Sequence, residues 1–123
     1  MEDFHQSSLT GFNLFFKKIQ MHCSNRDYEC CGIATDKNLH FLKNIHNNKR
    51  FFFQISPESY FNIIRKENIS FIWHSHAFGS ASPSSEDLDY AKGHRHFSLI
   101  YSVADDNFCF FDPYSFKQVY FCI

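Results

Sequence analysis

The stretch IWHSHAFGSASPSSEDLDYA, from Ile72 to Ala91, decides how the whole chain is read. It opens as the end of an apolar strand, passes through a loop of small residues, and enters an acidic helix that Ser84 can cap. Strand, loop and helix in that order are the working unit of an α/β domain. Residues i and i+2 of a strand share a face, so His74 and His76 present two imidazoles to one point if the extended backbone persists to His76. Neutral imidazole is a favoured zinc ligand, and a catalytic zinc site takes three protein ligands and keeps a position for water. A third ligand is to hand in Asp87, Asp89 or Glu86 on the following helix. Ser84 and Asp87 lie three apart and share one helix face. The seven residues after His76 are enough to fold that helix start back over the strand end. Asp87 would then meet the histidines, with Ser84 beside the open position.

Outward from this unit, the pattern predicts one α/β domain over residues 1–123, with a central mixed sheet and flanking helices. Ser7, Ser8 and Thr10 offer caps for a helix from Phe12 to about Cys23, with apolar residues at 12, 15, 16 and 19. Strands are expected at 28–35, 39–45 and 51–55, the first two forming a hairpin through Asp36-Lys37-Asn38. Ser56-Pro57-Glu58 is a helix start, with Ser as cap and Pro at the first helical position. Ile69 leads a strand into His74, a short helix runs from Ser84 to about Lys92 and stops at Gly93, and strands follow at 97–103, 108–111 and 118–122.

Composition excludes several classes. The net charge is −1, and the pairs Lys17-Lys18 and Lys49-Arg50 are isolated, so no nucleic-acid footprint is present. No apolar run approaches the ~20 residues of a membrane span, and the start Met-Glu-Asp-Phe-His lacks the pattern of a signal peptide. A cytoplasmic protein is expected, or one in a host cytoplasm or virion if phage-encoded. Five cysteines, without a CxxC pair, fit a reducing compartment. Cys30 and Cys31 are adjacent on a strand, point to opposite sides, and read as small core residues. Phe51-Phe52-Phe53 reads as strand core with one ring exposed, and Trp73 reads as core. The second HxH, His94-Arg95-His96, has no Asp in matching register and reads as turn or surface residues, with His94 near the cleft.

A hydrolytic zinc site also needs a proton carrier. Glu29, at the head of a strand otherwise made of Cys, Gly, Ile and Ala, is the candidate; apolar surroundings would raise its pKa toward the working range. Glu29 on an early strand, then His74-x-His76, seven residues, Ser84, two residues and Asp87, resembles the motif of the JAMM (MPN-plus) metallopeptidases. Glu29-Cys30-Cys31-Gly32, the Phe53 to Pro57 stretch and the His96 to Ser102 stretch extend the likeness over nearly the whole chain. Among its members the chain looks most like small prokaryotic, phage tail-associated ones.

The resemblance implies a cytidine-deaminase-like α/β fold and a Zn2+ ion held by His74, His76 and Asp87. It also implies Glu29 as general base and proton donor to the leaving amine, and Ser84 as hydrogen-bond donor to the developing oxyanion. The implied activity is amide or isopeptide hydrolysis. The implied partners are a ubiquitin-like tail, a cell-wall peptide or a phage structural protein, with a homodimer also plausible. One departure is Ala77, where the family usually has Pro after the second His; this touches loop shape, not a ligand. The rival reading is a non-catalytic MPN-like scaffold or tail-assembly module. A zinc deaminase would need a His/Cys-x-Glu and a Pro-Cys-x-x-Cys pair, and neither occurs.

Overall fold

A computed structural model describes residues 11–123. The order is α1 (Asn13–Cys23), β1 (Cys31–Thr35), β2 (Leu39–Leu42), α2 (Pro57–Ile64), β3 (Ile69–His76), α3 (Ser85–His94), β4 (Ser98–Ser102), β5 (Asn107–Phe111) and β6 (Gln118–Phe121). Six strands form one sheet in the order β2-β1-β3-β4-β5-β6. Four pairings are antiparallel, and β3 with β4 is parallel. A parallel neighbour needs a crossover, and α3 supplies it. β3 is therefore an inner strand, with the α3 loop starting at its C-terminal end. Ligand sites of open α/β sheets favour such strand ends.

Alternation along the strands splits the core into two faces. On one, Phe16, Ile19 and Cys23 of α1 pack on Cys30, Ala34, Phe71, Trp73, Leu99, Tyr101, Phe108 and Phe110. On the other, Cys31, Ile33 and Ile72 pack with Ile55 and Ile63 beneath α2, while Ile100, Cys109 and Phe111 pack with Ala81 and Ala91 beneath α3. Cys30 and Cys31 do fall on opposite faces, both buried. Burying rings at ~25 cal/mol per Å2 makes the phenylalanine-rich α1 face a large share of the stability.

Gly32 sits opposite Trp73 in the β1–β3 pair. A Cβ there would lie 2.0 Å from the His40 carbonyl oxygen and 2.5 Å from Trp73 Nε1. Only a glycine lets the indole cross β1, where it meets Phe41 edge-on at 5.5 Å. This contact is on the α1 face, so Gly32 serves Trp73 rather than the histidines.

Several expected boundaries differ: β1 begins at Cys31 and not at 28, and β2 ends at Leu42 and not at 45. The 51–55 segment is not a strand, which leaves six strands among the described residues where the sequence suggests seven. The chain coils first, with Phe51 and Phe52 N–H groups both donating to the Asn48 carbonyl. Asn44 then takes the place of a ladder partner: its Nδ2 donates to the Phe52 carbonyl at 2.9 Å and its Oδ1 accepts from Gln54 N at 3.1 Å. Consequently Phe51, at 58 % exposed, is the ring of the run that faces solvent. The helix expected to stop at Gly93 continues to His94, because Arg95 takes the left-handed cap position at φ 61°. The proposed caps Ser7, Ser8 and Thr10 lie outside the described residues.

Candidate metal centre

β3 stays extended to His76, so both histidines leave the sheet on the α2/α3 face. His74 is held against Cys31 on one side and Ile100 on the other; His76 lies against Ser102. Ser75 between them points the opposite way and is fully buried. Its hydroxyl accepts from Cys30 N at 2.9 Å, while its own N–H donates to the Cys30 carbonyl at 2.9 Å. This clamp ties the HxH to the residue that follows Glu29.

The loop folds back as its length allows. Ser84 is the N-cap of α3, and its hydroxyl accepts from Asp87 N at 3.1 Å. Asp87 closes the capping box, accepting from Ser84 N at 2.9 Å through Oδ2. The box fixes the Asp87 carboxylate, and both of its oxygens meet the histidines. Oδ1 lies 3.1 Å from His74 Nε2, and Oδ2 lies 3.0 Å from His76 Nε2. The two Nε2 atoms are 3.3 Å apart. Neither Glu86 nor Asp89 joins this group.

These separations fit a metal. Ligands at ~2.0–2.1 Å in a tetrahedron are ~3.3 Å from one another, close to the 3.0–3.3 Å found here. The supports fit as well. His76 Nδ1 donates to the Ser80 carbonyl at 2.7 Å, which leaves Nε2 as the nitrogen that could face an ion. The ring of Phe53 stacks on His74 at 4.3 Å and 19°. His74, His76 and Asp87 together could hold one ion.

Charges respond accordingly. Burial works to lower the His76 imidazole, but the Asp87 hydrogen bond, the Ser80 carbonyl and the Asp87 and Glu29 charges outweigh it and raise its pKa. Burial works to raise Asp87, yet the His74 charge, hydrogen bonds from both histidines and the Ser84 N–H hold it well below the usual carboxylate range.

Glu29 precedes β1 and is 5 % exposed. Its backbone is fixed at both ends: its N–H donates to the Lys49 carbonyl at 2.7 Å, and its carbonyl accepts from Asn44 Nδ2 at 2.8 Å. Burial pushes its carboxyl up to about 6, against the pull of His74 and His76 and with a push from Asp87. All three charges that act on it belong to the candidate centre.

Ser84 is exposed, and its oxygen is occupied as an acceptor, which leaves the O–H proton available to donate. His94 and His96 form no second centre. Their rings stack at 5.5 Å; His94 Nδ1 accepts from His96 N, and His96 Nε2 meets the Tyr60 hydroxyl at 3.0 Å. His94 is half-buried against Tyr90 rather than on the surface, and burial pushes it down to about 3.

Sequence reasoning missed the supporting residues. Asn44 and Phe53 carry no spacing signal, since both act from irregular backbone. Ser75 did carry one: a polar residue on the apolar side of an inner strand needs a partner.

Fold and site together define an α/β domain with a His-x-His strand end and a helix carboxylate arranged as a candidate metal centre. The family model for prokaryotic homologs of the JAB domain matches residues 14–114. The chain belongs to that family. A solution structure of a protein from Desulfitobacterium hafniense is similar at 18 % identity, with a TM-score of 0.66, covering 90 % of this chain and 88 % of that one. The crystal structure of a JAB1/MPN domain protein from Archaeoglobus fulgidus is similar at 14 % identity, with a TM-score of 0.51, covering 85 % and 88 %. At such identities the likeness is one of fold. No curated protein matches the sequence. Among the described residues no helix is long and apolar enough to cross a membrane.

Proposed function

We propose that this domain is a zinc-dependent metallopeptidase that hydrolyses an amide or isopeptide bond in a peptide or protein. The observation that carries the reading is the convergence of His74 Nε2, His76 Nε2 and the Asp87 carboxylate at tetrahedral spacing, with the buried Glu29 carboxyl in the same field. A zinc ion held by these three residues would supply an activated water and polarise the substrate carbonyl.

The remaining work falls to side chains of this chain. Glu29 takes the proton from the attacking water and delivers it to the departing nitrogen, a double duty suited to a carboxyl poised near 6. Ser84 donates its O–H to the carbonyl oxygen as charge develops there. Its other hydrogen bond, to Asp87 N, holds that donor in place. Ser80 keeps His76 in the tautomer that leaves Nε2 for the metal, and Phe53 shields one face of His74.

A second reading is a non-catalytic scaffold, in which Asp87 serves only as the hydrogen-bond partner of both histidines and the Ser84 N–H. Glu29→Gln separates the two. With zinc added and a mixed peptide pool as substrate, the wild type should cleave and Glu29→Gln should not, while both bind zinc. Equal cleavage by the two proteins would contradict the base role; zinc uptake with no cleavage by either favours the scaffold.

A further inference from the structure

Beside the candidate centre lies a cavity of about 550 Å3, within the usual range of ~300–1,000 Å3 for ligand sites. Glu29 lines it, and so do three cationic residues, Lys43, Lys49 and Arg50. Two anions share the wall, Asp27 and Glu29 itself, and His22 is held toward its neutral form by burial and by Arg26. Asp27 meets Arg50 at 3.4 Å, but both side chains are more than half exposed, so the pair is weak. Among the described residues Lys43 and Lys49 have no ion-pair partner. The cavity thus holds positive charge that the fold leaves unneutralised. Its open side is extended by Phe78, 49 % exposed, over whose ring the Arg50 guanidinium sits at 5.5 Å. Against Asp87 lies a second cleft with an aromatic wall of Phe52, Phe53 and Tyr90, and with His46 and Glu86 beside it.

We infer that the cationic cavity is the leaving-group subsite, and that it selects substrates carrying a carboxylate next to the departing amine. This inference rests on the metallopeptidase reading, because the side of the cleft follows from Glu29. The group that protonates the departing nitrogen must face it, so the released part of the substrate lies over the cavity that Glu29 lines, and the acyl part over the aromatic wall. Lys43, Lys49 and Arg50 then meet a carboxylate in charge-assisted hydrogen bonds, which are shorter and stronger than neutral ones. The carboxylate can be the α-carboxylate of a released C-terminal residue or the side chain of an acidic residue at that position.

The test reads binding rather than turnover. Fluorescein-labelled Ala-Ala-Ala as the free acid, the same peptide as its C-terminal amide, and labelled Ala-Ala-Glu amide are titrated against the full chain in the presence of EDTA. Chelation stops cleavage and removes direct metal–carboxylate contact. The inference predicts that the free acid binds about tenfold or more tightly than the amide. A matching gain for the Glu amide assigns the site to side chains as well as C-termini; no gain assigns it to C-termini alone. In Lys43→Gln/Lys49→Gln the preference should collapse to within about twofold, while Lys66→Gln, remote from the cavity, should keep it. Equal binding of all three peptides, or an undiminished preference in the double variant, overturns the inference. Zinc uptake and cleavage are measured separately. Cleavage without carboxylate preference would sink this subsite alone, and preference without cleavage would sink the metallopeptidase reading.

Discussion

Ser84 is asked to do two things, and substitution can separate them. As N-cap of α3 its oxygen accepts from Asp87 N at 3.1 Å; in the proposed reaction its O–H would also serve the substrate as oxyanion donor. Ser84→Ala removes both. Loss of a Ser cap to Ala costs about 1 kcal/mol, and replacement by Gly only a few tenths. A chain of 123 residues unfolds with an entropy of roughly 0.26 kcal/mol/K, so Ser84→Ala should lower Tm by about 4 °C and Ser84→Gly by about 1 °C. Both lose the donor, and removal of one oxyanion donor costs about 10^2–10^3 in kcat. Differential scanning calorimetry and peptide hydrolysis on the same samples read the two effects. Ser84→Gly should be near wild type in Tm and slower by at least about a hundredfold. Wild-type hydrolysis by Ser84→Gly would refute the oxyanion role. An unchanged Tm in Ser84→Ala would refute the capping argument and, with it, the account of how Asp87 is aimed.

Burial raises the Glu29 carboxyl to about 6 from its ordinary value of about 4.5. The folded state then holds its proton longer than the unfolded chain, so stability falls as pH rises through this interval. Glu29→Gln should remove that fall, leaving the variant more stable at pH 7 by up to about 2 kcal/mol in urea unfolding with EDTA; an identical pH slope in both proteins would contradict the burial. Zinc and a proton compete for His76 Nε2, whose pKa is raised, so zinc affinity measured by chelator competition should weaken as pH drops through neutrality; a flat profile would count against His76 as ligand. Gly32→Ala must displace either the β2 backbone or Trp73 and should cost about 3 kcal/mol, roughly 12 °C in Tm; a melt within 2 °C of wild type would show that the close approach is absent.

The legible parts of the sequence were those with short periods. α2 starts where Ser56-Pro57-Glu58 places it, with the Ser56 hydroxyl accepting from Ser59 N at 3.1 Å. His74 and His76 share a face because β3 keeps its period of two through both. Ser84 and Asp87 meet because a capping box spans three residues. What spacing could not settle was which carboxylate, among Glu86, Asp87 and Asp89, turns inward; the box settles it by using Asp87 at its third position. The Phe51 to Ile55 run misled because β propensity describes fit to a pleated, half-buried surface, and here Asn44 takes the hydrogen bonds that a neighbouring strand would have made. Phe53 packs against the α2-side core with its ring stacked on His74. Gly93 misled in a similar way, since a glycine can sit inside a helix when the next turn offers another residue, Arg95, for the left-handed cap.

In the proposed centre His74, His76 and Asp87 bind one zinc ion. The direct measurement is elemental analysis of the wild type and Asp87→Ala, purified side by side without chelator and checked for folding by circular dichroism. The account predicts about one zinc per wild-type chain and little in the folded variant. No zinc in either protein, even after zinc is added back, would contradict it and leave the three side chains as a hydrogen-bonded strand end.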